Sequence, residues 1–411
     1  MVGGAFYLDW LEFAVRWTHV IVAIAWIGSS FYFIALDLGL RRHDALPKGV
    51  GGEEWQVHGG GFYHIQKYMV APGHMPEDLT WFKWESYATW LSGAALLIVV
   101  YWLGAELYLI DPAVADLAVW QAVLLSGGSL VIGWLIYDAL CKSPVGQSPT
   151  GLMLLLFVLL VAMSWGYTQI FSGRAALLHL GAFTATIMSA NVFRVIIPNQ
   201  HIVVGDLKAG RTPDAKYGKI AKQRSTHNNY LTLPVLFLML SNHYPLAFAS
   251  EFNWIIASLV FLMGVTIRHF FNTLHATGKG PAWTWAATAI LFVIIVAISV
   301  YPILKDDQWE ETAITPRAER FAAAEHFDAA FTAIQGRCAM CHAPEPSWPG
   351  IAAPPKGVNL VTRSAVATLA SDIYLQAGVT HAMPPGNLSQ MEDEERALIR
   401  AWYEEGAYGE G

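Results

Sequence analysis

Long apolar runs alternate with short polar segments along most of this chain. A helix needs about 20 apolar residues to cross a bilayer, and the runs reach or approach that length. They lie near residues 11–36, 84–103, 117–137, 151–170, 175–197, 229–248, 252–273 and 283–304. Polar residues such as Asn242 and Arg268 interrupt the sixth and seventh runs. The pattern predicts an all-α, polytopic membrane helix bundle of about eight transmembrane helices over residues 1–304.

The pattern changes after residue 304. Residues 305–320 are charged and contain one proline, which indicates a linker rather than a continued helix. Apolar residues then recur at helical spacing from Phe321 to Ile334, and a second amphipathic helix is expected over 391–406. Residues 321–411 are therefore predicted to form a small α-helical domain.

Composition supports a membrane protein. Hydrophobic residues make up 55% of the chain and charged residues 14%, whereas soluble domains average about 25% charged. Lys and Arg are biased toward alternate loops: the first and fifth loops hold five and six, and the second and sixth hold none. The positive-inside rule then predicts a multi-pass protein of the bacterial inner membrane, with the N-terminus and the C-terminal domain in the periplasm. The first run is long and begins with Glu12, Arg16 and His19, so we expect a retained anchor rather than a cleaved signal peptide.

The C-terminal domain contains Cys338-Ala339-Met340-Cys341-His342, the C-x-x-C-H attachment motif of a c-type haem. The two thiols bind the haem covalently and the adjacent His binds iron. Met383, in a proline-rich loop, is predicted as the second iron ligand. With this motif between its two predicted helices, the domain of residues 321–411 has the outline of a class I cytochrome c. A zinc site would need further Cys or His ligands nearby, and the remaining cysteine, Cys141, is far away in sequence and is expected to be a free thiol. Haem attachment on the outer side of bacterial membranes agrees with the predicted topology.

Histidines in the apolar runs fall at two predicted depths. His19, His179 and His243 lie toward the outer side, and His227 and His269 lie toward the inner side. His227 and His243 are separated by about 24 Å of helix. We therefore hypothesise one or two b-type haems, the outer one held by His19 with His179 or His243 and the inner one by His227 and His269. The alternative is that these side chains only form hydrogen bonds with water or lipid headgroups, or, for His19, with Glu12 or a neighbouring helix.

Several segments together resemble the bacterial membrane-bound urate oxidases with a fused cytochrome c (PuuD type). The resemblance rests on His19–Ile34 (HVIVAIAWIGSSFYFI), Gly59–Tyr68 (GGGFYHIQKY), His227–Pro245 (HNNYLTLPVLFLMLSNHYP) and the C-terminal CAMCH, and it covers essentially the whole chain. It implies oxidation of urate to 5-hydroxyisourate in purine catabolism, with electrons passing through the cytochrome domain to the respiratory chain. The family pattern carries over residue by residue only to Cys338, Cys341, His342 and Met383.

A urate site has definite chemical requirements. Urate is a planar monoanion near neutral pH, so its site needs a cation, hydrogen-bond donors and a flat apolar face. The first cytoplasmic loop, Gly51–Lys83, is long and rich in Gly, aromatics and His, and long loops in compact proteins are usually functional. We predict Lys67 as the anion partner and His64 or His74 as the acid–base group. Competing substrate-binding candidates are Asn191 and Arg194, although Arg194 also satisfies the positive-inside rule and could bind haem propionates.

Other functions and partners remain open. Haem c accepts one electron at a time, so a two-electron oxidation needs a second cofactor or a radical intermediate. The chain could instead be a non-catalytic electron-transfer subunit of a larger respiratory complex. A third option, a membrane haem-biosynthesis oxidase, rests only on His19…Trp26-Ile27-Gly28 in the first run, a spacing that also occurs in other bacterial membrane proteins that bind b-type haem. A downstream soluble cytochrome c or terminal oxidase is the expected electron acceptor. Homo-oligomers are compatible with the sequence. The basic residues between the fifth and sixth runs are interpreted as lipid-facing rather than as binding nucleic acid.

Overall fold

The structure is a computed structural model. It describes residues 4–68, 72, 75–111, 114–248, 250–305, 314, 316–349, 351, 354–355 and 358–408. The chain divides into two compact units, which are described separately. The first comprises residues 1–109 and 118–298, and the second comprises residues 110–117 and 299–411.

Helices dominate the first unit, as the apolar runs predict. They are α1 (Gly4–Gly39), α2 (Trp84–Leu96), α3 (Val119–Lys142), α4 (Pro149–Thr168), α5 (Gly173–Ala190), α6 (Ile197–Lys208), α7 (Ala215–Ser241), α8 (Pro245–Phe248), α9 (Asn253–Thr277) and α10 (Trp283–Lys305). A π-helical segment, Leu97–Trp102, extends α2, and another, Asn191–Ile196, joins α5 to α6. Pro144–Gln147 forms a short 3₁₀ turn and Ala105–Leu109 a further π-helical segment.

Membrane-length helices are present, but fewer than the apolar runs predict. Within the described residues, six segments are long and apolar enough to cross a bilayer: Trp10–Gly39, Val119–Lys142, Pro149–Thr168, Gly173–Lys208, Asn253–Thr277 and Trp283–Tyr301. The second and sixth predicted runs fall in α2 and α7, which are helical but outside this set. The α2 helix has only 13 residues, and α7 begins with a basic segment and carries His and Asn side chains at its centre.

A β-hairpin follows α1, where the sequence predicts only a long loop. Strands β1 (Val50–His58) and β2 (Gly61–Tyr68) pair antiparallel, with His58 opposite Gly61. Gly59 and Gly60 form the turn at φ of 60° and 82°. A two-residue hairpin turn with positive φ at both positions strongly favours glycine. The all-α prediction is therefore incomplete at this loop.

The α5 helix occupies the centre of the first unit. Leu180, Phe183 and Ile187 on this helix have no measurable exposure. A Cβ at Gly181 would lie 3.0 Å from Leu238 of α7, and one at Gly264 of α9 would lie 2.6 Å from Pro234 of α7. Small residues at helix contacts let backbones approach closely in membrane bundles. The close packing of α5, α7 and α9 positions the polar side chains described below.

The second unit is a small helical domain. Its helices are α11 (Pro316–Ala322), α12 (Phe327–Arg337), α13 (Arg363–Thr368), α14 (Ala370–Ile373) and α15 (Asp393–Tyr408). The apolar stripe predicted from Phe321 to Ile334 is divided between α11 and α12. Trp402 of α15 is fully buried, and its indole Nε1 donates to the Phe321 carbonyl at 2.7 Å. Most of the predicted linker lies outside the described residues.

Candidate functional site

The C-x-x-C-H motif forms a compact turn at the end of α12. Neither Cys338 nor Cys341 forms a disulfide, and burial raises the pKa of the Cys338 thiol to about 11. The backbone N–H groups of Cys341 and His342 donate to the Cys338 carbonyl at 3.1 and 2.9 Å. His342 Nδ1 lies 3.0 Å from the Val358 carbonyl. With Nδ1–H donating to that oxygen, Nε2 carries the lone pair that a metal requires, so these residues fit a covalently bound haem.

The loop that carries Met383 is held by a buried arginine of α15. Arg396 is 3% exposed and donates to the carbonyls of Ala377 and Met383 at 2.6 and 2.9 Å and to Asn387 Oδ1 at 3.2 Å. The Met383 N–H donates to the Gln376 carbonyl at 2.9 Å. These bonds fix the backbone on both sides of a half-buried Met383. The role of its sulfur as an iron ligand remains a prediction.

His19 contacts the neighbouring helix α2 rather than Glu12. Its Nδ1 lies 3.1 Å from the Thr89 carbonyl and 3.0 Å from Ser92 Oγ, and Glu12 pairs with Arg16 instead. Nε2 has no hydrogen-bond partner among the described residues. A ring with Nδ1 fixed by a carbonyl and Nε2 unpaired has the arrangement found in metal-binding histidines. His19 therefore fits the ligand hypothesis.

His179 has a different environment. It is fully buried in α5, and both ring nitrogens are hydrogen-bonded, Nε2 to Ser126 Oγ at 2.7 Å and Nδ1 to the Ala175 carbonyl at 2.8 Å. The Phe171 ring centroid lies 4.6 Å from the imidazole. Ligation of a haem through His179 would require Ser126 to move away. His243, the alternative outer candidate, is exposed just after the end of α7.

The two predicted inner ligands pack against different helices. His227 of α7 is buried, and its Nδ1 lies 2.8 Å from the Tyr137 hydroxyl of α3. The ring of His269 in α9 lies 5.9 Å from the Trp283 ring of α10. The pairing of His227 with His269 remains a prediction.

His227 belongs to a buried polar network between α3, α5 and α7. Asn191 Nδ2 donates to the Tyr137 hydroxyl and to Asn228 Oδ1, both at 2.9 Å. Arg224 of α7, 2% exposed, donates to Asp138 Oδ1 at 2.6 Å and to Asn191 Oδ1 at 3.3 Å. Asn191 is thus fully enclosed.

Asp138 also pairs with Lys142, at 2.6 Å. In contrast, the other substrate candidate from this segment, Arg194, is exposed on the π-helical turn. Asn191 and Arg194 are therefore in different environments despite their short separation in sequence.

The candidate substrate-site residues described on the hairpin pair with carboxylates of the same protein. Lys67 forms an ion pair with Asp37 of α1, which also accepts from Lys222 at 3.2 Å. His64 Nε2 lies 2.7 Å from Glu53 Oε2. The predicted acid–base candidate His74 lies outside the described residues.

Glu53 organises the centre of the hairpin. It also accepts hydrogen bonds from His43 at 3.0 Å and Gln66 at 3.1 Å. Hydrogen bonds from His43, His64 and Gln66 lower the pKa of the Glu53 carboxyl to about 2. The Trp55 ring stacks on His64 with a centroid distance of 4.2 Å. In this arrangement Lys67 and His64 stabilise the hairpin.

A cavity of about 320 Å³ lies between α1, α7 and α9 and was not expected from sequence. It is lined by Phe31, Ala35, Leu233, Ile267, Arg268, Phe271 and His275. In the sequence, Arg268 is visible only as an interruption of the seventh apolar run. An ionisable side chain within a membrane-length helix is itself a signal of function, and that signal identifies this residue.

The fold and these sites define a mostly helical chain whose long apolar helices are compatible with a membrane protein. The family model described as "Urate oxidase N-terminal" matches residues 5–299, and the chain belongs to this family. Membership indicates an oxidoreductase acting on urate. No curated protein and no solved structure matches the chain.

Proposed function

We propose that this protein is a membrane-bound, cytochrome-linked urate oxidase. One observation carries the proposal: the urate oxidase family match over residues 5–299 stands in the same chain as a C-x-x-C-H motif whose His342 is prepared to bind iron. The family match supports urate as the substrate, and the C-x-x-C-H motif supports an electron acceptor within the same protein.

The reaction balances as a dehydrogenation with addition of water. Urate and one water give 5-hydroxyisourate, two protons and two electrons. A bound haem would supply one-electron transfer, so the two electrons would leave urate singly, through a second cofactor or a radical intermediate. The acceptor after haem c would be a downstream soluble cytochrome c or a terminal oxidase. The acidic balance of the C-terminal segment, 16 acids against 8 basic residues from position 305 onward, favours a partner with a basic docking surface.

The proposed cofactor residues have separate tasks. Cys338 and Cys341 hold haem c covalently, and His342 and Met383 bind its iron. For a membrane haem b, His19 has the more suitable hydrogen-bond pattern, because its Nδ1 is anchored and its Nε2 has no partner in the described part of the chain. One or two such haems would complete the proposed electron path from urate to haem c. Their further candidate ligands are His179, His227, His243 and His269.

The proposed location follows from the loop charges and the haem. We propose that the N-terminus and the cytochrome domain lie in the periplasm, on the outer side of the bacterial inner membrane. Urate from intracellular purine breakdown then binds from the cytoplasmic side. The ion pair of Lys67 with Asp37 means that Lys67 must leave this partner, or share it, to contact the urate anion.

Anaerobic reduction of the oxidised protein by urate tests the proposal. The visible absorption bands of b- and c-type haem are followed after mixing. We expect urate-dependent reduction of haem c, with b-type bands reduced as well if a membrane haem is present. Reduction by an artificial donor but not by urate would overturn the proposal and favour the non-catalytic electron-transfer subunit.

A further inference from the structure

Arg268 is a buried cation without a carboxylate partner. The residue is 7% exposed, and its Nε and Nη2 donate to neutral amide oxygens, Asn229 Oδ1 at 2.7 Å and Asn272 Oδ1 at 3.1 Å. Its guanidinium carbon lies 4.4 Å from the centre of the Phe31 ring. No ion pair of Arg268 exists among the described residues. An uncompensated buried charge is costly, and such residues in membrane helices usually serve a ligand or a partner.

The hydrogen bonds of Arg268 leave part of the guanidinium available. Nη1 has no acceptor in the described part of the chain, and the side chain lines the cavity between α1, α7 and α9. Asn272, whose Oδ1 accepts from Arg268, also has an Nδ2 without an acceptor among the described residues. The site therefore offers one positive charge and nearby unpaired N–H donors.

The remaining cavity wall is flat and apolar. Ile267, Phe271 and His275 follow one another at four-residue steps on one face of α9, and Phe31 and Ala35 do so on α1. Two phenyl rings and an imidazole thus line the same cavity as the cation. A volume of about 320 Å³ is at the small end of the usual range for ligand pockets. These properties fit a small, planar, aromatic monoanion.

We infer that this cavity binds the urate monoanion, with Arg268 as its charge partner. The inference rests on the proposed function, which supplies the identity of the anion. The guanidinium can donate to the oxygen and nitrogen atoms along one edge of urate, while Phe31 and Phe271 provide flat faces for the rings.

The other cations considered for this role are already compensated or exposed. Arg224 and Lys67 bond to Asp138 and Asp37, and Arg194 is on the surface. Arg268 combines burial, an open donor and a cavity.

The test uses full-length, haem-loaded protein in nanodiscs. The protein is reduced beforehand with dithionite, so that bound urate is not oxidised, and the Kd of radiolabelled urate is measured by equilibrium dialysis. Arg268→Gln, which removes the charge, is expected to raise this Kd by about 10- to 100-fold. Arg268→Lys, which keeps the charge, is expected to bind urate more tightly than Arg268→Gln.

Arg174→Gln is the matched control. Arg174 also donates to an asparagine oxygen, Asn242 Oδ1, and lies 5.2 Å from the centre of an aromatic ring, that of Tyr108, but it does not line this cavity. Its substitution should change the Kd less than about twofold, a change well below the loss of a charged hydrogen bond. If Arg268→Gln does not fold, Arg268→Lys and Phe31→Leu provide the comparison.

The outcomes separate this inference from the proposed function. If urate reduces the haem of the wild type but Arg268→Gln leaves the Kd of urate unchanged, the inference is overturned and the proposed function stands. Arg268-dependent binding without reduction of haem would keep the binding site and overturn the function. Absence of urate binding by the wild type would overturn both. Loss of bound phospholipid or of a b-type haem from Arg268→Gln, with an unchanged Kd, would assign the cavity to a lipid phosphate or a haem propionate and overturn the inference.

Discussion

Arg224 of α7 and Arg268 of α9 are two buried arginines with opposite electrostatic surroundings. Both donate to an asparagine oxygen, and both lie beside an aromatic ring, Tyr137 at 5.0 Å and Phe31 at 4.4 Å. Arg224 has a carboxylate partner, Asp138, at 2.6 Å. Within the described part of the chain, Arg268 donates only to neutral oxygens, and it lines a cavity. The difference indicates that Arg224 holds helices together, whereas Arg268 is available to an anion.

A third arginine tests this interpretation. Arg396 in the second unit is also buried, and among the described residues it donates only to neutral acceptors, the carbonyls of Ala377 and Met383 and the side chain of Asn387. Absence of a carboxylate therefore does not by itself define an anion site. The additional feature of Arg268 is the cavity that its side chain lines.

The largest expected effect is on the free energy of unfolding, through the buried ion pair of Arg224 with Asp138. Asp138→Asn preserves the side-chain shape but leaves Arg224, 2% exposed, without its anion. Breaking a buried ion pair from one side lowers the free energy of unfolding by roughly 3–5 kcal/mol. Denaturant unfolding in detergent micelles, followed by circular dichroism, measures this loss.

Lys142→Gln is the control for that substitution. Lys142 pairs with the same carboxylate, but its side chain is 71% exposed, and exposed ion pairs contribute about 0–1 kcal/mol. Equal destabilisation by Asp138→Asn and Lys142→Gln would contradict a structural role for the buried Arg224–Asp138 pair.

Arg268→Met should have a much smaller effect on stability. Removal of a desolvated charge stabilises the fold, because no partner carboxylate among the described residues is left unpaired. Loss of the hydrogen bonds to Asn229 and Asn272 destabilises the fold and offsets that gain. We expect the free energy of unfolding to change by less than about 1 kcal/mol, in the same unfolding assay. A loss as large as that of Asp138→Asn would make Arg268 a structural residue like Arg396.

The contrast between these arginines could not be predicted from the sequence. An arginine in an apolar run looks the same whether a carboxylate or a cavity faces it, and the partners here come from distant segments: Phe31 on α1 and Asn229 on α7. The C-x-x-C-H motif was identifiable because covalent chemistry dictates its residue types and spacing. The helices were predictable because the apolar runs are long. The hairpin was missed because its signal, a Gly-Gly turn between alternating residues, is short.

Lys67→Ala distinguishes the hairpin from the cavity as the anion site. Asp37 keeps Lys222 as a partner after the substitution, so the fold should be retained. If Arg268 is the charge partner, kcat/KM for urate should fall less than about fivefold, which corresponds to about 1 kcal/mol. Lost turnover with an intact haem spectrum would instead assign the urate anion to Lys67.

The smallest effect concerns the hairpin at low pH. The Glu53 carboxyl, with an ordinary pKa of 4.5, has its pKa lowered to about 2 by hydrogen bonds from His43, His64 and Gln66. A depressed pKa stabilises the folded form above the unfolded pKa, so this contribution is present above pH 4.5 and is lost as the pH falls through about 2. Carbon-13 NMR of labelled glutamate, with Glu53→Gln to assign the signal, should show ionisation persisting well below pH 4.5. His43→Gln should raise the titration midpoint of Glu53, because the hydrogen bond from His43 contributes most to the lowered pKa. If the wild-type carboxyl titrates at its ordinary pKa instead, these side chains do not hold the hairpin together.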